Sequence, residues 1–267
     1  FCIITLIMEY KSLILGLGQK PDNPIPYSVT LRALSGQTFS VIGVRHVHDP
    51  RDPLILYIQD SFNKFLKILG PKIAIIEKRS KISANSLEEA VKTWGEAGAT
   101  HWIATAESIH VTCPEPDSWD VTAELCKQFD PSDICYYEIG DAMTWHTRLH
   151  PESTAEENLE RLLLIRVNHK DIYGFEPTVE WFMEKHKKLF GKQGIDDEVF
   201  WKATMNSKKS VNTVFGKILT ARHNTRNQII FNNLANLWNQ GNNIFMVYGN
   251  SHVTSLEPAL RALVENQ

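Results

Sequence analysis

The chain has 267 residues, 43% of them hydrophobic, enough for a large core in one α/β domain or two smaller ones. Its net charge of −3, with both signs interspersed, leaves no electrostatic footprint for DNA, RNA or an anionic membrane. The four cysteines, Cys2, Cys113, Cys126 and Cys135, have neither a C-x-x-C pair nor metal-finger spacing, and read as free buried thiols of a reducing compartment.

The opening FCIITLIM is apolar but only eight residues long, too short to cross a bilayer, and no basic segment or small-residue cleavage site flanks it. A cytoplasmic protein is the expectation, with a removed N-terminal signal as the alternative. Residues 29–34 and 38–44, split by Ser35-Gly36-Gln37, read as a hairpin or two short strands. Residues 54–69 place apolar side chains at helical spacing and stop at Gly70-Pro71, with Asp49 before Pro50 as the expected cap. The run IAIIE at 73–77 has the pattern of a strand covered on both faces. A helix is expected from the capping box of Ser86 and Glu89 to about Ser108, broken at Gly95 or Gly98. Residues 109–113 read as another buried strand, ended by Pro114-Glu115-Pro116.

From Asp117 the pattern turns helical, with helices expected at 118–129, 132–147, 155–167, 178–190, 196–206 and 211–239. Residues 244–248 return to strand, and a last helix is expected to begin near Thr254. No repeat or low-complexity tract interrupts this order. The expectation is a single α/β domain over 1–267, its mostly parallel sheet flanked by helices, with a helical insertion at 117–210.

In such sheets ligands bind beyond the carboxyl ends of the strands. Four apolar runs deliver titratable residues there: His46, His48 and Asp49 after the first, then Glu77, Glu115 and His252. Two imidazoles and two carboxylates on one rim could hold a divalent ion or act as general base and acid without one. Gly43 and Gly249 would permit sharp turns and close backbone approach to a ligand.

Each residue also has a plainer reading. His46 and His252 could be ordinary strand-end histidines, but both stand in the same G-x-x-H-V frame. His48 reads as packed or solvent-facing, and His101, His110, Trp145, His146 and His150 as structural. A carboxylate at the end of a buried strand needs a partner, unless Lys78 or Arg79 draws Glu77 to the surface. Glu115 is either a presented ligand or a turn residue. Arg222 and Arg226 share a helix face, and form either a solvated basic turn or a guanidinium aimed into the rim. The helix around Glu176, Glu180, Trp181 and Phe182 reads as amphipathic. There is no G-x-S-x-G elbow, P-loop, G-x-G-x-x-G or H-E-x-x-H, and GLGQK at 16–20 is only a glycine turn.

In this order, Gly43-x-x-His46, a strand-ending Glu77, Arg226-Asn227 on a helix and Gly249-x-x-His252 resemble the TraB/Tiki group, whose wider superfamily includes erythromycin-esterase-like and ChaN-like proteins. The best-matched stretch is TRNQIIFNNLANLWNQGNNIFMVYGNSHV, and the resemblance spans residues 40–260 as ordered short motifs. One departure is that the last motif runs on as HVTSLEPAL, without a glycine turn after the histidine.

The resemblance implies an α/β fold with these residues gathered at one site. Tiki proteins are described as metal-dependent peptidases, erythromycin esterases hydrolyse a lactone, ChaN-like members are linked to haem and iron, and some TraB-like members have no settled activity. His46, Glu77, Arg226 and His252 are the matched positions, with Glu115 and Arg222 added as candidates. The expectation is a hydrolase of a peptide or ester bond in a small-molecule or peptide substrate. In its metal version His46, Glu77 and His252 hold Mn, Co or Zn; in its metal-free version a histidine–glutamate pair activates water. The alternatives are a haem- or metal-binding protein without turnover, and an interaction protein with a disused site.

Overall fold

The structure is a computed structural model that describes residues 9–78, 81–145, 150, 152–205 and 212–266. Cys2 and the rest of FCIITLIM, Arg79, His146, and the expected helix ends at 147, 206 and 211 lie outside the described residues.

Five strands form one sheet: β1 (Tyr27–Arg32), β2 (Thr38–Val44), β3 (Lys72–Ile76), β4 (His110–Thr112) and β5 (Asn243–Gly249), in the order β1-β2-β5-β3-β4. β1 and β2 are an antiparallel hairpin, turned through Gly36 at φ +89°, where only glycine is unstrained. Every other pairing is parallel. The mostly parallel α/β fold follows.

The last strand in sequence lies at the centre. β5 is buried from Asn243 to Tyr248, as its unbroken apolar run requires of a strand covered on both faces. Side-chain alternation sends Ile244, Met246 and Tyr248 to one face, with Phe39, Val41, Ile73 and Ile75. There they pack on Ile230, Phe231, Leu234 and Trp238 of α9 (Val214–Asn239) and on Val253, Leu256 and Leu260 of the final helix. Phe245 and Val247 go to the other face, against Ile55, Ile58, Phe62 and Phe65 of α1 (Pro53–Leu66) and Val91 and Ala99 of α2 (Leu87–Ala106). Phe245 meets Phe62 edge-on at 5.1 Å, a geometry worth about 1 kcal/mol beyond area burial.

Several boundaries differ from expectation for local reasons. The cap of α1 is Asp52, whose carboxylate accepts from Leu54 N with Pro53 at the first helical position; Asp49 instead closes a turn with Arg51. α2 breaks at Gly95 (φ +64°, ψ −147°) rather than at Gly98. The final helix, α10 (Asn250–Glu265), starts directly from β5, four residues before Thr254, so His252 lies in a helical first turn.

The chain divides into two compact units, Phe1–Pro116 with Arg226–Gln267, and Asp117–Thr225. The first holds the sheet, α1, α2, α10 and the C-terminal half of α9. The second holds α3 (Ser118–Cys126), α4 (Pro131–Met143), α5 (Ala155–Val167), α6 (Lys170–Tyr173), α7 (Val179–Phe190), α8 (Glu198–Met205) and the start of α9. The helical unit thus extends beyond residue 210. Its own core stacks Tyr136 on Phe182 at 4.7 Å and on Phe215 at 5.6 Å.

Candidate active site

Because β2, β5, β3 and β4 run parallel, the residues that follow them share one rim. The register sets Val44 beside Gly249 and Ile76 beside Val247. The two G-x-x-H frames are therefore offset by one residue, with Gly43 opposite Tyr248.

Arg226 anchors one half of the site. Its Nε donates to Glu115 Oε2 at 2.6 Å and its Nη2 to Glu77 Oε1 at 3.0 Å. Glu115 is buried and its other oxygen accepts from the Tyr248 hydroxyl. Asn233 Nδ2 donates to the Pro114 carbonyl at 2.8 Å, fixing the proline-flanked turn that carries this glutamate. Glu115 therefore points inward. Glu77, one residue past β3, accepts from Gly249 N at 2.8 Å with its second oxygen. Lys78 does not draw it outward, since that ammonium lies 5.1 Å from the Trp94 ring centroid. Burial pushes the Glu77 carboxyl above its ordinary range, although the Gly249 N–H and the Arg226 charge oppose this.

His252 is buried beside them. Its Nδ1 lies 2.6 Å from Asn227 Oδ1, and because an amide oxygen only accepts, Nδ1 carries a hydrogen. Nε2 faces Glu77 Oε1 at 3.8 Å, an ion-pair separation rather than a hydrogen bond. The Arg226-Asn227 pair thus supports three rim groups, Glu77 and Glu115 through the guanidinium and His252 through the amide.

His46 has a different setting. Its side chain is 68% exposed, yet Nδ1 lies 2.7 Å from Glu96 Oε1, a carboxylate only 7% exposed. The second Glu96 oxygen accepts from Val47 N at 3.1 Å. Nδ1 is the donor to the carboxylate, which leaves Nε2 as the proton-accepting atom of the neutral ring. The Glu96 hydrogen bond raises the pKa of His46 against the opposing effect of burial; the Glu96 and Glu77 charges add to the rise and Arg226 reduces it.

Glycines make these approaches feasible. A Cβ on Gly249 would lie 2.8 Å from Glu77 Oε2, and one on Gly43 would collide with the Asn250 side-chain oxygen. The close approach expected at both positions is made by protein side chains. Neither glycine has a positive φ, so no left-handed turn requires them. At Gly95 the φ is positive and a Cβ would lie 2.7 Å from the Val47 carbonyl. That kink brings Glu96 under His46.

Arg222 does not join Arg226. Its Nη1 donates to Asp141 Oδ2 at 2.8 Å within the helical unit. His48 is exposed with Nδ1 3.2 Å from the Lys92 carbonyl, and Asp49 is exposed. The Cys126 and Cys135 thiols are pushed up by burial to about 11 and about 12, which keeps them protonated and poor nucleophiles.

Among the described residues, no group of three or more His, Cys, Asp or Glu side chains is arranged to hold a metal ion. At His46, Glu77 and His252 the obstacle is Glu77, whose two oxygens are committed to Arg226 and Gly249. With Glu77 so engaged, these three side chains are not grouped as one ligand set.

Glu96 and Tyr248 are the members that sequence reasoning missed. Tyr248 was readable, standing one residue before Gly249 in a strand end. Glu96 was not, because nothing local links it to a histidine fifty residues earlier. The chain matches no known protein-family model, no curated protein and no solved structure.

Proposed function

We propose that the protein is a hydrolase in which the His46–Glu96 pair activates water for attack on an ester or peptide carbonyl at the strand rim. The observation that carries this reading is the buried Glu96 carboxylate 2.7 Å from Nδ1 of an otherwise exposed imidazole. A general base needs this arrangement: one nitrogen held by an orienting carboxylate, the other open to water. The resemblance to TraB/Tiki and erythromycin-esterase-like proteins points to the same reaction class.

His46 Nε2 takes the proton of the attacking water as its oxygen bonds to the carbonyl carbon. The proton is then returned to the leaving oxygen or nitrogen as the tetrahedral intermediate collapses. Glu96 holds the ring and offsets the imidazolium charge in between. Arg226, fixed by two carboxylates, has five N–H donors, of which these ion pairs use two. Its fork is the rim's cationic group for a developing oxyanion. Glu77, Glu115 and Tyr248 set its position, and His252 with Asn227 closes the adjacent wall.

The test is hydrolysis of an ester and peptide panel by the purified chain in chelator, beside His46→Ala and Glu96→Gln. Turnover that survives chelation and falls at least about 100-fold in His46→Ala supports the pair as base. Turnover that appears only with added Mn, Co or Zn would replace this reading with the metal version. A haem absorption band without hydrolysis would replace it with a binding protein, and full activity in folded His46→Ala would end it.

A further inference from the structure

One polar side chain of the rim has neither a role in the steps above nor a partner among the described residues. Asn250 opens α10 directly after Gly249, yet it does not cap the helix: Gly249 holds the cap position, and no side chain bonds to the first turn. The Asn250 amide makes no hydrogen bond among the described residues. Its Oδ1 is sealed from solvent without a donor, whereas its Nδ2 is not sealed. Burying an acceptor unpaired is costly, and an alanine at this position would avoid the cost. An amide kept there against stability calls for a use of its open end.

Gly43 fixes which end that is. Its Cα–H faces Oδ1 so closely that a Cβ would collide with that oxygen. A C–H group suits an oxygen as neighbour, whereas an amide N–H in that place would set hydrogen against hydrogen. The amide therefore lies with its oxygen against β2 and its NH2 group turned outward.

The surroundings are those of the proposed reaction. Gly43 stands three residues before His46. On the other side, Gly249 N and Arg226 Nη2 hold the two oxygens of Glu77, so that carboxylate already has its donors. Lys20 Nζ donates to the Ser251 hydroxyl in the same turn, a cation at the positive end of a helix, and the local field favours negative charge.

We propose that Asn250 is a catalytic residue of the hydrolysis, its Nδ2–H donating to the oxyanion that forms when water attacks the substrate carbonyl. The role rests on the hydrolase reading. As the water oxygen bonds to the carbonyl carbon, the C=O π pair moves onto oxygen, where Asn250 joins Arg226 in holding the new charge. The pair returns to re-form the carbonyl as the leaving group departs with the proton from His46.

The experiment follows hydrolysis of an oxoester and the matching thionoester by the full chain, wild type beside Asn250→Ala, Asn250→Asp and His46→Ala, with denaturant unfolding in parallel. Sulfur is a weak hydrogen-bond acceptor, so a donor to the carbonyl oxygen makes the wild type favour the oxoester beyond the difference in uncatalysed rates. Asn250→Ala should keep or raise the unfolding midpoint, because the unpaired oxygen is gone. Its kcat on the oxoester should fall about 100-fold with KM little changed, and the oxoester preference should shrink with it. Asn250→Asp keeps the shape, suits a helical first turn and has no N–H, so it decides the matter if the alanine variant does not fold. Full activity in either folded variant, or an oxoester preference that survives loss of the amide, would overturn the proposal; an inactive His46→Ala beside it would leave the His46–Glu96 reading standing. No hydrolysis by the wild type would remove both.

Discussion

Glu96 determines what His46 can do. Because the carboxylate raises the imidazole pKa, neutral His46, the form that accepts a proton, prevails only above a pH higher than for an ordinary histidine. The acid limb of kcat/KM against pH should report that raised value. Glu96→Gln should move the limb to lower pH, since a neutral amide removes the favourable charge, and should lower kcat by about 100-fold or more. An unmoved limb would mean that another group titrates. Gly249→Ala is a separate test, because its Cβ would lie 2.8 Å from the Glu77 oxygen. Crowding at so fixed a point should cost about 1–3 kcal/mol in denaturant unfolding. Gly43→Ala should cost less, since only the end of the Asn250 side chain must swing aside. A larger loss at Gly43 would show that Asn250 is the more rigid neighbour. Both glycines were legible as points of close approach. What approaches them was not, because an oxygen arriving from residue 77 or 250 leaves no mark beside residue 249 or 43.

At the scale of elements, the site depends on a helix that breaks and a helix that starts early. The α2 break at Gly95 presents Val47 and Glu96 to each other, and Gly98 packs against the Ala90 carbonyl across the kink. Gly95→Ala forces a left-handed φ on alanine and crowds the Val47 carbonyl, so a loss of about 1–3 kcal/mol is expected by chemical denaturation. Activity should fall further than stability explains, because Glu96 loses its line to His46. Retained activity at wild-type stability would remove the kink from the argument. The two glycines made a break readable, whereas the partner it creates for His46 is a tertiary fact. The early start of α10 was hidden for a similar reason. Gly249-Asn250-Ser251 has the composition of a turn, yet the chain passes from strand to helix there without a loop. The repeated G-x-x-H-V frame therefore carries two unlike histidines, one exposed beyond β2 and one buried in a helical first turn.

At the scale of the whole molecule, inserting the last strand between β2 and β3 brings residues 46, 77, 115 and 252 to one rim, an order readable from the apolar runs. The pairing of charges there was only partly readable. The Arg226 guanidinium is shared between two carboxylates, Glu77 and Glu115, so neither has a counter-charge to itself. The consequence falls on Glu77, whose folded pKa is raised by burial. A raised folded value means that the contribution of Glu77 to stability is full below its unfolded value, near 4.5, and is lost as pH rises through the folded value. Glu77→Gln has no proton to lose there, while its amide oxygen can still accept from Gly249 N. Unfolding free energies of wild type and Glu77→Gln, measured by denaturant from about pH 4 to pH 8, should therefore diverge in one direction. The wild type should lose stability relative to the variant as pH rises, and the difference should level off once Glu77 is ionised in the fold. A difference that stays flat would show that the Gly249 N–H and Arg226 offset the burial of Glu77 in full. A wild type that gains on the variant would show that they exceed it, making the rim a stabilising ion-pair network rather than a site held under electrostatic tension.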